Sequence, residues 1–178
     1  MAATYRAIAT GVTWSASAKC MLKVFNASGS GVVLRVYRVW ILNNQTANVT
    51  GVIPIVQLVR TSTVGTGGTV VTPIKHDTNS SALPAQVTAM YADTSIGSID
   101  ATFRRSIFSS DEPAVGTMTI DELESVVPLS MFWDTGYIDT GVEPITLREG
   151  YGVMVYCAGI TSAAGNVDVI IEFTSAGS

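Results

Sequence analysis

Short β-forming runs spaced along the whole chain are what most constrain its fold. Residues 21–25, 32–42, 51–60, 69–75, 86–91, 128–133, 151–158 and 166–174 are rich in Val, Ile, Leu and aromatic side chains. Between them lie clusters of Gly, Asn, Asp, Ser, Thr and Pro, such as 43–44, 63–68 and 79–84. β-Branched and aromatic side chains fit a pleated surface, and those small or polar residues supply turns. Many short strands joined by turns predict an all-β chain, an antiparallel β-sandwich of jelly-roll type. The best helical candidate is 119–126, where Thr119 and Glu122 have capping-box spacing and Pro128 stops the run. Its length allows one or two turns inside a connection.

Particular runs say more. In 32–42, Val32, Leu34, Val36, Trp40 and Leu42 share one parity and Val33, Tyr37, Val39 and Ile41 the other, with Arg35 and Arg38 among them. A half-exposed antiparallel strand alternates apolar with polar. A strand apolar on both faces needs two covers, the opposite sheet and either a long loop or a second subunit; the low charge and high apolar content of the chain favour the subunit. That places Val33, Arg35, Tyr37, Val39 and Ile41 at an oligomer interface. Pro54 lacks an amide donor, which assigns run 51–60 to a sheet edge or a bulge. Residues 145–158 read as a hairpin turning at Glu149-Gly150, with Val153, Val155 and Cys157 on one face. In the last run Val167, Val169, Ile171 and Phe173 alternate with outward Asp168 and Glu172.

Composition removes several classes. Charged residues make up 13% of 178 positions, against about 25% in an average protein, and the formal charge is −4. Disorder requires the opposite balance. No apolar run approaches the roughly 20 residues of a spanning helix, so no membrane partner is expected. No basic concentration suits phosphate neutralisation, so no nucleic-acid partner is expected either. Arg6 is the only early charge and no apolar core follows it, which reads as synthesis in a cytoplasm. In that reducing compartment Cys20 and Cys157 are expected as buried free thiols.

Chemistry-bearing constellations are scarce. His76 sits between Lys75 and Asp77, neighbours that alternate sides on a strand and so cannot converge on one substrate; it reads as a surface or loop residue. Asp111, Glu112, Asp134 and Asp139 offer carboxylates for a glycosidase pair, but no spacing singles one out. The cluster Asp121, Glu122 and Glu124 reads as a solvated helix face. No catalytic residue, metal site or cofactor is assigned, and the chain is expected not to be an enzyme. Trp14, Trp40, Trp133, Tyr5, Tyr37, Tyr91, Tyr137, Tyr151 and Tyr156 offer an alternative, a carbohydrate-binding jelly-roll module.

The stretches YRVWILNNQT (37–46), TPIKHDTNSSALPA (72–85), RRSIFSSDEPAV (104–115) and LREGYGVMV (147–155) resemble small β-rich virion proteins of tailed bacteriophages. The resemblance covers 32–174. It implies a head decoration, or cement, protein: a homo-oligomer, commonly a trimer, bound to the major capsid protein on the outer surface of the virion. It implies no catalytic residues. Another virion component, such as a tail, fibre or minor capsid protein, is the second possibility. Residues 1–20, rich in Ala, Thr and Ser, read as an N-terminal extended arm before a sandwich domain at 21–178. Tyr5, Arg6 and Trp14 would be its capsid-binding anchors. The competing reading makes this segment the first strand of the sandwich.

Overall fold

A computed structural model of the chain describes residues 2–15, 17–44, 54–107, 130–135, 143–159 and 165–177. The expected helix at 119–126, the carboxylates Asp111, Glu112, Asp121, Glu122, Glu124 and Asp139, and Tyr137 lie outside these residues. Twelve strands are formed among them: β1 (Ala3–Thr13), β2 (Lys19–Asn26), β3 (Val32–Asn43), β4 (Ile55–Thr61), β5 (Thr69–Val71), β6 (Ile74–Lys75), β7 (Val87–Tyr91), β8 (Ile99–Ile107), β9 (Ser130–Asp134), β10 (Ile145–Leu147), β11 (Tyr151–Gly159) and β12 (Asn166–Gly177).

They build two antiparallel sheets packed as a sandwich. One runs β10-β3-β12-β1-β6, with β9 also paired to β3; the other runs β5-β7-β2-β11-β4-β8. The front of the chain pairs with its back in nested order: β1 with β12, β2 with β11, β3 with β10. Such nesting is that of a long hairpin rolled on itself and is compatible with a jelly roll. The core lies between the sheets and is filled by the alternate residues expected of strands. Val153, Val155 and Cys157 of β11 meet Val167, Val169, Ile171 and Phe173 of β12 there.

The amino-terminal segment is part of this core. β1 is held between β12 and β6, and its inward side chains Tyr5, Ala7, Ala9 and Val12 are buried, as is Trp14 just beyond it. The extended arm at 1–20 is therefore replaced by a strand, and the domain boundary at 20/21 disappears. Small residues such as Ala7 and Ala9 face inward across from Ile171 and Val169, where a larger side chain is not needed to fill the layer. Low bulk along the segment hid its strand period.

β3 corrects a second expectation. Opposite it on β12, Glu172 pairs with Arg38 and Phe173 with Val36, so Tyr37 is an extra residue in a bulge. One inserted residue reverses which side chains face inward. Leu34 and Val36 point to the core before the bulge, and Val39 and Ile41 after it. The two apparent apolar faces are thus largely one face read across a register shift. Val39 and Ile41 are core residues and leave the expected oligomer interface, while Val33 and Tyr37 are half-buried and Arg35 exposed.

Two more corrections come from crossings between sheets. β10 pairs with β3, but β11 pairs with β2 and β4, so 145–158 is a corner joining the two sheets rather than a hairpin. The turn itself is at Glu149-Gly150, where the Tyr151 N–H donates to Arg148 O at 3.2 Å and Gly150 takes φ +84°. That conformation favours glycine. Run 69–75 likewise divides at Pro73 into β5 and β6 of opposite sheets. Pro54 ends up just before β4, which is interior between β11 and β8, so it marks no edge; beside it the β4–β11 ladder does shift register, between Cys157 and Gly159 opposite Val56 and Ile55.

The outer face of the second sheet is also covered. Cys20, Val59 and Met154 form a small separate core there with Ile96 and Tyr156 against it. The β4–β5 and β7–β8 connections cross over it and are joined by bonds from the Thr94 N–H to Thr66 O (2.9 Å) and from the Ser62 N–H to Ser98 O (3.0 Å). Beneath them Lys23 and Asp93, both with side chains fully buried, form an ion pair at 2.5 Å.

Candidate functional site: an arginine-lined groove

The corner between β10 and β11 shapes one flank of the sandwich. Its turn is fixed from below. Asn26, buried at the end of β2, donates from Nδ2 to Val32 O (2.9 Å) and Leu147 O (3.2 Å), and its main-chain carbonyl accepts from the Gly150 N–H at 2.7 Å. Glu149 accepts from the N–H groups of Gly31 (2.7 Å) and Gly29 (3.0 Å) in the β2–β3 turn. Both glycines have φ above +60°, which aims successive amides into one concavity suited to an anion. These donors hold the Glu149 carboxyl below its ordinary value, because they favour the charged form. A carboxylate of the chain itself therefore fills this concavity, and the turn is pinned at both ends.

The pinned turn presents Arg148 and Tyr151 toward Arg35 of β3 and Arg60 of β4. With Glu143, Pro144 and Thr146 they line a groove of about 630 Å³. Arg35 lies directly across from Thr146 in the β3–β10 ladder, and Arg60 across from Val153 in β11. Three guanidiniums face a single lining carboxylate, in a chain whose formal charge is −4. Arg60 is held in place: its Nε donates to Asp100 Oδ2 at 2.5 Å, and its guanidinium lies 5.4 Å from the centre of the Tyr151 ring. That is a cation–π arrangement. Arg35 and Arg148 are exposed and make no ion pair among the described residues. A planar guanidinium offers a fork of donors matched to carboxylate or phosphate oxygens, so the groove is chemically an anion receptor.

The structure disperses most residues singled out from sequence. Tyr5 and Trp14 are in the core, and the Tyr5 hydroxyl donates to Ser81 O at 2.6 Å. Arg6 lies on the outer face of the first sheet, where its Nε donates to Glu172 Oε1 at 2.9 Å and its guanidinium sits 5.9 Å from the Trp40 ring centre. Glu172 is nearly buried there, also approached by Arg38 at 3.7 Å and His76 at 3.5 Å. His76 is exposed, as a loop residue should be. Among the described residues the aromatics form no common face: Trp133 packs on Phe103, Tyr156 covers the small outer core, and of the set only Tyr151 lines the groove. Cys20 and Cys157 are free and buried. Of the expected interface set only Arg35 belongs to the groove. Arg60, Arg148 and Thr146 were not singled out, because their convergence is produced by strand pairing and no local motif carries it.

A second hollow, about 420 Å³, lies on the opposite flank between β5, β6 and β7 and is mostly apolar, with Val71, Pro73, Leu83 and Val87 in its wall. Val70 and Ile74 stand beside it largely exposed. No family model, curated protein or solved structure matches the chain.

Proposed function

We propose that the chain is a structural virion protein of a tailed bacteriophage. It decorates the outer capsid surface as a symmetric homo-oligomer, a trimer, and stabilises the head by gripping the major capsid protein. The observation that carries this reading is the arginine-lined groove: cationic side chains at a turn braced by Asn26 and Glu149, on the flank of the sandwich. A rigid scaffold with a preset polar groove suits binding more than turnover, since little ordering is lost when a partner docks. The sequence resemblance and the nested strand pairing point the same way. Exposed Val70, Ile74 and Ile107, on β5, β6 and β8 at or beside sheet edges, support self-association, because bulky apolar residues at open edges favour pairing with another chain. In a trimer, each copy bound raises the effective concentration of the others, so modest contacts become durable.

Copy number in purified particles tests the reading directly. Hundreds of copies per virion, lying on the head in a cryo-EM map, are expected. A few copies, or density confined to the tail, would assign the chain to another virion role. Light scattering gives the oligomer, and a monodisperse 18.7 kDa species at micromolar concentration would remove the trimer.

A further inference from the structure

We infer that the groove formed by Arg35, Arg60, Arg148 and Tyr151 binds carboxylate side chains of an extended acidic peptide segment in the partner. This deepens the proposed function: it rests on the groove being the binding face and adds the chemistry that the partner must offer.

The charge of the groove calls for an anion, and its details separate the anion classes. Arg60 is already committed to Asp100 and to the face of Tyr151. That ring face is therefore occupied by a guanidinium, and a sugar or nucleobase that stacked on it would have to displace Arg60. A nucleic-acid backbone carries charge continuously along its length, and binding it requires a basic stripe. Here the positive region is bounded by Glu143 in the groove wall, Asp100 on β8 and Glu149 in the turn, so repeated phosphates would run into carboxylates. Discrete carboxylates meet no such conflict. Two of them can pair with Arg35 and Arg148, the arginines without ion-pair partners among the described residues.

Backbone placement favours a peptide. β10 is a three-residue edge strand that pairs only with β3 among the described residues, and its Thr146 lines the groove. An extended segment laid along that edge gains main-chain hydrogen bonds. It presents alternate side chains, about 7 Å apart, on one side. Acidic residues at positions i and i+2 would then face the arginines together.

The test uses the full chain and fluorescence anisotropy. The probe is a fluorescein-labelled ten-residue peptide alternating Asp or Glu with Ser or Thr. Its control carries Asn and Gln in place of the acids. The acidic peptide is expected to bind at least about tenfold more tightly than the control and to weaken as salt rises from 50 to 200 mM. The double variant Arg35→Gln/Arg148→Gln, at two exposed positions, is expected to lose about tenfold in affinity with its melting temperature nearly unchanged. Arg105→Gln, at an exposed arginine of β8 outside the groove, should bind like the parent. Equal binding of the amide control, undiminished binding by the double variant, or tighter binding of a heparin-derived oligosaccharide or single-stranded oligonucleotide of equal charge would each overturn the inference. Decoration of heads by the double variant at parent level would overturn it while leaving the proposed function standing. Groove-dependent peptide binding by a protein absent from capsids would do the reverse.

Discussion

Replacing Lys23 by Met removes the cation from a fully enclosed site. In the parent, Lys23 Nζ donates to Asp93 Oδ2 and Val64 O, each at 2.5 Å, and to Ile96 O at 2.9 Å, using all three of its protons. Methionine fills much the same volume but donates nothing. Asp93, with its side chain fully buried, keeps a charge with no counter-ion, and two carbonyls lose a donor. Breaking a buried pair from one side costs about 3–5 kcal/mol. Against a domain stability of roughly 5–15 kcal/mol, that is a large share. For a chain of this length it corresponds to a fall of roughly 6–20 °C in melting temperature. Urea denaturation and calorimetry measure it, and hydrogen exchange should show the 62–68 and 92–98 amides opening first, because Lys23 is the β2 side chain that bonds to both segments. The double variant Lys23→Met/Asp93→Leu removes the orphaned charge and should recover more than half of the loss. A single variant that loses less than about 1 kcal/mol would refute the assignment of Lys23 as the anchor. So would a double variant whose loss is the sum of the two singles, since directly paired residues must couple.

Other outcomes follow from the same packing. Burial, followed by the nearby Asp93 charge, pushes the Cys20 thiol up to about 12, and Cys157 lies in the main core, so a thiol reagent at pH 8 should label neither in the native protein and both after denaturation without reductant. Glu149 has a carboxyl held below its ordinary 4.5, so it contributes stability that is fully present above that pH and lost as pH falls through the depressed value. Acid denaturation of Glu149→Gln against the parent should show a gap that closes only below pH 4.5, and a gap that widens with acid would contradict the bond to Gly29 and Gly31. Deleting residues 1–18 should abolish soluble folding, because burying Tyr5, Val12 and Trp14 supplies about 5–9 kcal/mol and β1 supplies the neighbour of β12; a folded, soluble truncated protein by circular dichroism would restore the arm.

How much of this was legible in the sequence depends on where each signal resides. Strands with dense β-branched content and regular alternation, such as 166–174, were plain, because burial on one face imposes period two on a contiguous segment. β1 was hidden by its alanines and threonines, which form a strand only because β12 lies beside them. β8 was hidden by Asp100, Arg104 and Arg105, acceptable there because an edge strand faces solvent. The bulge at Tyr37 misled in another way: an extra residue leaves no compositional mark, and reading straight through it turned one inward face into two.

The groove was illegible for a reason that bears on what it does. Arg35, Arg60 and Arg148 stand far apart in sequence on β3, β4 and the β10–β11 turn, and each alone reads as an ordinary surface charge. Only the corner that sends β10 to one sheet and β11 to the other brings them together. That corner is among the most heavily braced points in the molecule: the buried amide of Asn26 joins three segments, and Glu149 pins the turn to the glycines of β2–β3. Gly152, next in β11, is required by space, since a Cβ there would come within 2.6 Å of the Phe25 ring and 2.8 Å of Val24 O. Bracing a turn with a buried amide, a captured carboxylate and an obligatory glycine does little for a passive connection. It fixes Arg148 and Tyr151 relative to Arg35 and Arg60, as an arginine site that must meet carboxylates without first ordering itself requires.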